Sequence, residues 1–335
     1  MNQFRLDELD RQIVELLRRD GRRSAASVAR SLGVAKQTVA KRLDRLLKRD
    51  AIRITARVDP VALGFPLFCS IGVRVKPGAM DRVAEQLAAM DCVAWVGCST
   101  GSFDILADAF LADTDAMFEF LDQRLAEMPD ITATREWLVL RSAKYVYLWE
   151  DENAAEPGPG DHESVRGWTT KPGSERELVR LDGLDRAIIH LLRQDGRRPL
   201  ADIARHVNVT EATASSRVDR LLRTGAMLVI AHVNWPAIGY PVHVNVGVKV
   251  TRGHVLDVGS RLAAHPNVSY VGYTTGDFDI IADAFLADGA SLLQFLNVDV
   301  PAIPAVQSSE TWHLLSVAKV NYQWEGEKIA RTAGK

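Results

Sequence analysis

Cysteine is scarce in this chain. Cys69, Cys92 and Cys98 are the only three in 335 residues. They form no C-x-x-C pair and no even set, which excludes a disulfide framework and predicts reduced, structural thiols. Long apolar runs are missing too. Nothing approaches the roughly 20 apolar residues that cross a bilayer. The opening Met1-Asn-Gln-Phe-Arg-Leu-Asp-Glu has no apolar signal core. No membrane partner and a cytoplasmic, nucleoid-associated location are therefore expected. Histidines cluster late, at His190, His206, His232, His243, His254, His265 and His313, with no H-x-x-x-H or other metal-ligand spacing. Scattered surface or partly buried imidazoles are the expectation, with no metal and no cofactor.

Charge of one sign is also lacking overall, but not locally. The net charge is −2. Residues 1–50 carry 13 Lys/Arg against 7 Asp/Glu, and residues 176–225 carry 10 against 7. Two basic modules joined to acidic ones fit nucleic-acid readers attached to a regulatory or assembly domain. Solvated helix faces can be equally basic, so charge alone does not decide.

What the chain has in excess is itself. Leu6-Asp-Glu-Leu-Asp-Arg returns as Leu181-Asp-Gly-Leu-Asp-Arg, and Asp20-Gly-Arg-Arg as Asp195-Gly-Arg-Arg. The offset of 175 residues holds without a gap to Trp149-Glu150 and Trp324-Glu325. Such a unit is far too long for a solenoid repeat, and the total length calls for several domains.

Each copy begins with a 3.6-residue period. Leu6, Leu9, Ile13, Leu16 and Leu17 form one helical stripe that Asp20-Gly21 ends. Ser24 suits the N-cap of a short second helix, and Gly33 supplies a tight turn. A third helix follows, with Val39, Leu43, Leu46 and Leu47 inward. Ala51–Val58 alternates as a short strand able to form a wing. This is the helix-turn-helix pattern. In the second copy Thr210 offers the third helix a cap where the first copy has Ala35.

The back half changes to period two. Cys69, Ile71, Val73 and Val75 alternate with Ser70, Gly72, Arg74 and Lys76, as do Val244, Val246, Val248 and Val250 with their neighbours. Helices are predicted over 79–90 and 114–125, and strands over 93–99, 103–110, 131–140 and 143–148. The order β-α-β-β-α-β is a split βαβ sandwich. Trp137 and Trp312, like Trp149 and Trp324, occupy matched positions suited to sheet core or interface anchors. Residues 151–177 hold Glu-Pro-Gly-Pro-Gly and Lys-Pro-Gly-Ser. This is spacer chemistry, spanning roughly 30 Å as a coil and about 90 Å stretched. That reach lets the two sandwiches pair within one chain. The expected fold is α+β: two tandem winged helix-turn-helix domains (1–60 and 178–235), each followed by a ferredoxin-like sandwich for ligand sensing and dimerisation (61–150 and 236–326), with a flexible linker over 151–177.

The order and spacing of Leu-Asp-x-Leu-Asp-Arg, Asp-Gly-Arg-Arg and the turns Thr100-Gly-Ser-Phe-Asp104 and Thr275-Gly-Asp-Phe-Asp279 resemble the Lrp/AsnC family of transcription regulators, over nearly the whole chain and twice. The resemblance implies double-stranded DNA as a partner of the front module. It also implies an amino-acid-like effector at the back module, an intrachain pseudo-dimer, and further homo-oligomerisation. DNA contact then falls to the third helices. In the first copy these residues are Lys36, Gln37, Thr38, Lys41, Arg42 and Arg45. In the second they are Thr210, Glu211, Thr213, Ser216, Arg217 and Arg220. Arg and Lys suit phosphates or guanine edges, and Gln37 and Thr38 are short readers. Lys36 has become Glu211 and Lys41 has become Ser216, so the two heads are expected to read different half-sites. The family binds its effector near the turn, which implicates Thr100, Gly101, Ser102 and Asp104, and Thr275, Gly276, Asp277 and Asp279. Backbone N–H groups there suit a carboxylate and the aspartates an ammonium. As structure alone, Gly101 and Gly276 permit positive φ in a hairpin and each Asp starts a strand.

Two other functions fit the same architecture. Siroheme decarboxylases share it but carry a His-Asn-Tyr and Arg-rich segment at the strand turn, which Val96–Asp104 and Val271–Asp279 lack. A ligand-binding or assembly protein with decayed heads is the other, against which the basic third helices argue.

Overall fold

The computed structural model describes residues 4–144 and 178–320. The expected linker over 151–177, Trp149, Trp324 and most of the strand predicted over 143–148 lie outside the described residues. The first copy runs α1 (Glu8–Arg19), α2 (Ala25–Leu32), α3 (Lys36–Lys48), β1 (Ile52–Val58), β2 (Leu67–Val75), α4 (Met80–Ala89), β3 (Val93–Thr100), β4 (Ile105–Leu111), α5 (Thr114–Glu119) and β5 (Ile131–Lys144). The second runs α6 (Gly183–Gln194), α7 (Leu200–His206), α8 (Glu211–Arg223), β6 (Met227–Val233), β7 (Val242–Val250), α9 (Val255–Ala264), β8 (Val268–Thr274), β9 (Ile280–Leu286), α10 (Gly289–Gln294) and β10 (Val306–Lys319). The copies interleave into two compact units. One holds residues up to 59 with 179–241, and the other holds residues 60–144 with 242–320.

In the first unit, local chemistry sets the helix ends. Asp7 and Asp182 are N-caps whose carboxylates accept from the backbone three residues on, while Asp10 and Asp185 return the bond, a reciprocal capping box. Ser24 caps α2 and Gly33 ends it at φ 66°. Thr210 caps α8, whereas Ala35 gives α3 no side-chain cap. The strand after each third helix is not a free wing. β1 and β6 pair antiparallel, Ile52 with Val233 through Val58 with Met227, as a two-stranded ribbon. All of β1 except Arg53 is buried. A strand buried on both faces is more stable paired and covered than exposed as an edge.

The Asp-Gly-Arg-Arg turns lock this pairing. Gly21 N–H donates to Val229 O (2.7 Å) and Gly196 N–H to Ile54 O (2.9 Å), each reaching the other copy's strand. A Cβ on Gly21 would meet Ile54 Cγ2 at 2.8 Å and Val229 O at 3.0 Å; one on Gly196 would meet Thr55 N at 2.9 Å. Arg22 Nη1 donates to Gly196 O (2.8 Å) and Arg197 Nη2 to Arg23 O (2.8 Å).

The second unit is a closed eight-stranded barrel in the order β10-β3-β4-β2-β5-β8-β9-β7. The predicted strands 131–140 and 143–148 are one strand over their described part, because β5 joins the two copies within the barrel. Its residues 131–139 pair with β2 and its residues 139–144 with β8 of the other copy. β10 does the same between β7 and β3. Alternate residues face outward into two matched cores, Cys69/Ile71/Val73 with Val83 and Leu87, and Val244/Val246/Val248 with Val258 and Leu262. The three cysteines are free and buried there. Burial pushes the Cys69 thiol up to about 12 and the Cys92 thiol to about 11, so both stay protonated. The inner faces meet in a third core of Phe103, Leu106, Trp137, Phe278, Ile281 and Trp312. Trp137 and Trp312 stand 5.5 Å apart across the copies.

Candidate nucleic-acid interface and effector sockets

The third helices carry the predicted DNA residues in two groups. Lys36, Gln37, Thr38 and Lys41 are exposed on α3, and Glu211 and Ser216 are exposed on α8. An open groove along α3 is lined by Thr38, Lys41, Arg42, Asp44, Arg45, Lys48 and Arg49. The arginines, by contrast, are held from behind. Arg42 Nη1 bonds Asp7 Oδ2 (2.6 Å) and Asp10 Oδ1 (2.9 Å), and Arg45 Nη2 bonds Asp10 Oδ2 (2.6 Å). The Asp10 side chain is 1% exposed. Arg217 and Arg220 repeat the clamp on Asp182 and Asp185. The Arg42 hydrogen bond holds the Asp7 carboxyl below its usual range, and the same bond raises the Arg42 guanidinium. Bonding from the Asp185 backbone, then from Arg217, lowers Asp182.

The motif Leu-Asp-x-Leu-Asp-Arg therefore does two jobs. It caps α1 and it fixes the angle of α3 through two guanidiniums. An Asp at the cap with Asp three residues on was the available signal for the box; the arginine clamp, 32–35 residues away, had none. Thr210 is likewise engaged as a cap, accepting from Thr213 N at 3.1 Å.

The two turns dock on opposite copies within the barrel. Gly101 and Gly276 have φ of 117° and 100°. In the first turn, Ser102 Oγ accepts from Trp312 Nε1 (2.7 Å) and bonds Glu310. In the second, Asp277 pairs with Arg135 (2.6 Å) and Thr275 N–H donates to Leu138 O (3.0 Å). Trp137, the counterpart of Trp312, is buried, and its Nε1 has no hydrogen-bond partner. Thr100, Gly101, Thr275, Gly276 and Asp277 are exposed; Ser102, Asp104 and Asp279 are half-buried. Asp104 and Asp279 hold strands, since Asp104 Oδ2 accepts from Val75 N (2.8 Å) and Asp279 Oδ2 from Val250 N (2.8 Å), with Lys249 at 3.2 Å from Asp279 Oδ1. The motif phenylalanines lie over glycines of the neighbouring strands. A Cβ on Gly72 would meet Phe103 at 2.6 Å, and one on Gly247 would meet Phe278 at 2.7 Å. Glu310 and Arg135 escaped the sequence reading because each meets a turn of the other copy; Trp137 and Trp312 stand out there as core or interface anchors, without this role at the turns.

Among the described residues no group of His, Cys, Asp and Glu is placed to hold a metal, and no helix is long and apolar enough to cross a membrane.

A duplicated helix-turn-helix with a barrel shared by both copies defines a class, and comparison with known proteins gives it a family. The AsnC-type helix-turn-helix domain matches residues 6–47 and 181–222. The Lrp/AsnC ligand binding domain matches 69–148, and the PF0864 C-terminal dimeric alpha+beta barrel domain matches 241–327. An uncharacterized HTH-type transcriptional regulator of Pyrococcus furiosus is 35% identical over 143 residues, 42% of this chain and 97% of that protein. HTH-type transcriptional regulator FL11 of the same organism is 33% identical over 140 residues, 42% of this chain and 92% of its own length. The chain belongs to the Lrp/AsnC family. The solved structure of the siroheme decarboxylase NirDL covers 98% of this chain and 100% of its own at a TM-score of 0.63 and 14% identity. That likeness is one of fold, and it shows that the architecture also occurs in an enzyme.

Proposed function

We propose that this chain is a sequence-specific, DNA-binding transcription regulator whose two non-identical halves replace the identical halves of a homodimer. In this reading residues 1–60 and 178–235 are the DNA heads, and 61–150 and 236–326 are the sensing and assembly domains joined by the 151–177 linker. The observation that carries it is the pattern of change on the third helices. The clamped arginines are the same in both copies, while exposed positions differ at Lys36/Glu211, Gln37/Ala212 and Lys41/Ser216; Thr38/Thr213 and Asp44/Asp219 are unchanged. Lys36, Gln37, Thr38 and Lys41 are the outward readers. Arg42, Arg45, Arg217 and Arg220 orient the helix and offer their remaining N–H groups to phosphate. Thr210, Glu211, Thr213 and Ser216 serve the second head, which binds less tightly for want of the lysines. The site is then an asymmetric inverted repeat.

The effector is amino-acid-like and sits at the turns, at Thr100, Gly101, Ser102 and Asp104, and at Thr275, Gly276, Asp277 and Asp279. The sockets are unequal. Ser102 already satisfies Trp312 Nε1, whereas Trp137 Nε1 beside Gly276 is left for an acceptor such as a carboxylate. The protein works in the cytoplasm on the nucleoid, assembles further through copies of itself, and catalyses no reaction. The turn segments carry no histidine or arginine for tetrapyrrole chemistry. The test is selection of bound genomic fragments with and without a panel of amino acids, followed by footprinting. A perfectly symmetric site with equal half-site affinities would refute the asymmetric reading.

A further inference from the structure

The barrel interior holds a polar cluster that neither the heads nor the turns use. Asp108 lies mid-strand on β4, and Asp283 occupies the matched place on β9. Their neighbours Ala107, Ala109, Ala282 and Ala284 belong to the outer cores, and Leu106 and Ile281 belong to the inner one. Strand alternation therefore turns both carboxylates inward. Ser70 Oγ donates to Asp108 Oδ1 (2.8 Å), and Asn245 Nδ2 donates to Asp283 Oδ1. Among the described residues neither carboxylate has a Lys or Arg ion-pair partner. Desolvation pushes Asp108 up to about 7, and desolvation with the negative charge of Asp108 holds Asp283 well above the usual range. Asp283 thus feels the charge of Asp108 from the other copy.

Two further observations point to a guest. Asn245 is 5% exposed, and its Oδ1, the other prong of the amide that bonds Asp283, has no partner. Aromatic residues of both copies sit beside the carboxylates in strand register. Trp95 is the register partner of Asp108 and Tyr270 that of Asp283. Trp95 meets His243 at 6.3 Å and Phe68 meets Tyr270 at 6.3 Å, both across the copies. His243 stays neutral, since desolvation lowers it to about 3. Asp108, Asp283, Ser70, Trp95, His243 and Tyr270 each keep part of their surface exposed although they face inward. Carboxylates, an amide oxygen and ring faces all attract positive charge, and ring faces suit an organic cation.

We propose that this interior box binds an alkylammonium cation, with the ammonium bridged by Asp108 and Asp283, capped by Asn245 Oδ1, and its methylenes against Trp95 and Tyr270. The site is separate from the turns and does not depend on the regulatory reading. It is tested by calorimetry and thermal denaturation of the full chain at pH 8 with 1,3-diaminopropane, 1,4-diaminobutane and 1,5-diaminopentane. Butanol is the neutral control. Saturable binding and a raised melting temperature are expected with at least one diamine and not with butanol. Binding should weaken roughly tenfold or more in Asp108→Asn and in Asp283→Asn. Absence of saturable binding to the unaltered protein up to about 10 mM would overturn the proposal. So would equal binding by the folded double variant, which would place the diamine on the acidic outer surface. Trp95→Leu removes a ring without touching charge and should weaken binding less than either Asn variant; if it alone abolished binding while both Asn variants bound normally, the carboxylate assignment would fail.

Discussion

The two heads are alike where they are held and unlike where they are open. Asp10 receives Arg42 and Arg45, and Asp185 receives Arg217 and Arg220, in matching geometry. Gly21 and Gly196 both press against the shared ribbon. Among the outward residues of α3 and α8, Lys36/Glu211, Gln37/Ala212 and Lys41/Ser216 differ. A buried carboxylate facing two guanidiniums tolerates little change, because loss of one partner strands the others. An exposed lysine has no such dependents. The scaffold was copied, and its exposed surface was left free to diverge.

The sharpest way to break this comparison is at the clamp. Asp10→Ala and Asp185→Ala should each destabilise the protein by about 2 kcal/mol or more, discounted for the partly exposed arginines. Denaturant midpoints measured at equal protein concentration should show similar losses. A silent variant in one copy would mean that the two clamps are not equivalent.

A pH comparison comes next. Asp108 and Asp283 have folded-state values raised above the unfolded one. Their contribution is therefore fully present below the unfolded carboxylate range, near 4, and is lost as pH rises through about 7 for Asp108. Ser70, Asn245, Trp95, Tyr270 and the neutral His243 are the groups around them, and none supplies a compensating charge. The melting temperature should fall by roughly 5 °C between pH 5 and 8, and Asp108→Asn with Asp283→Asn should flatten that slope.

DNA affinity is the third lever. Lys36→Glu with Lys41→Ser gives the first head the charge of the second. Affinity should drop roughly tenfold at moderate salt and the salt slope should shrink by about two. Glu211→Lys with Ser216→Lys should move both quantities the other way. Titrations across a salt series check this, and unchanged slopes would show that these positions do not face DNA.

The smallest effect is expected at the turns. Ser102→Ala with Glu310→Ala removes both acceptors of Trp312 Nε1 and should cost about 1 kcal/mol. It also makes the first socket resemble the second. An effector that binds once per unaltered chain should then bind twice in calorimetry.

Much of this was legible in the sequence because it is local. Ser24 and Thr210 are caps, Ala35 is not, and the 3.6 and 2.0 periods mark the helices and strands. What escaped is what one copy does to the other. The alternation of β2 reads as one covered and one wet face, but barrel closure turns Ser70 and Gly72 toward the second copy. Ala51–Val58 looked able to stand as a wing because its partner is 175 residues away. The turn residues read as a hairpin, while Glu310, Arg135 and the two tryptophans that meet them are contributed from across the barrel.

The strands β5 and β10, each divided between its own copy and the other, also set a schedule for synthesis. When the first copy has left the ribosome, β3 lacks the partner that β10 will supply, and the far half of β5 lacks β8. Two open edges persist until almost the last strand is made, and such edges invite pairing with the wrong chain. Closing the barrel is thus a late event of high contact order. A truncated product would expose sticky edges rather than act as half a regulator.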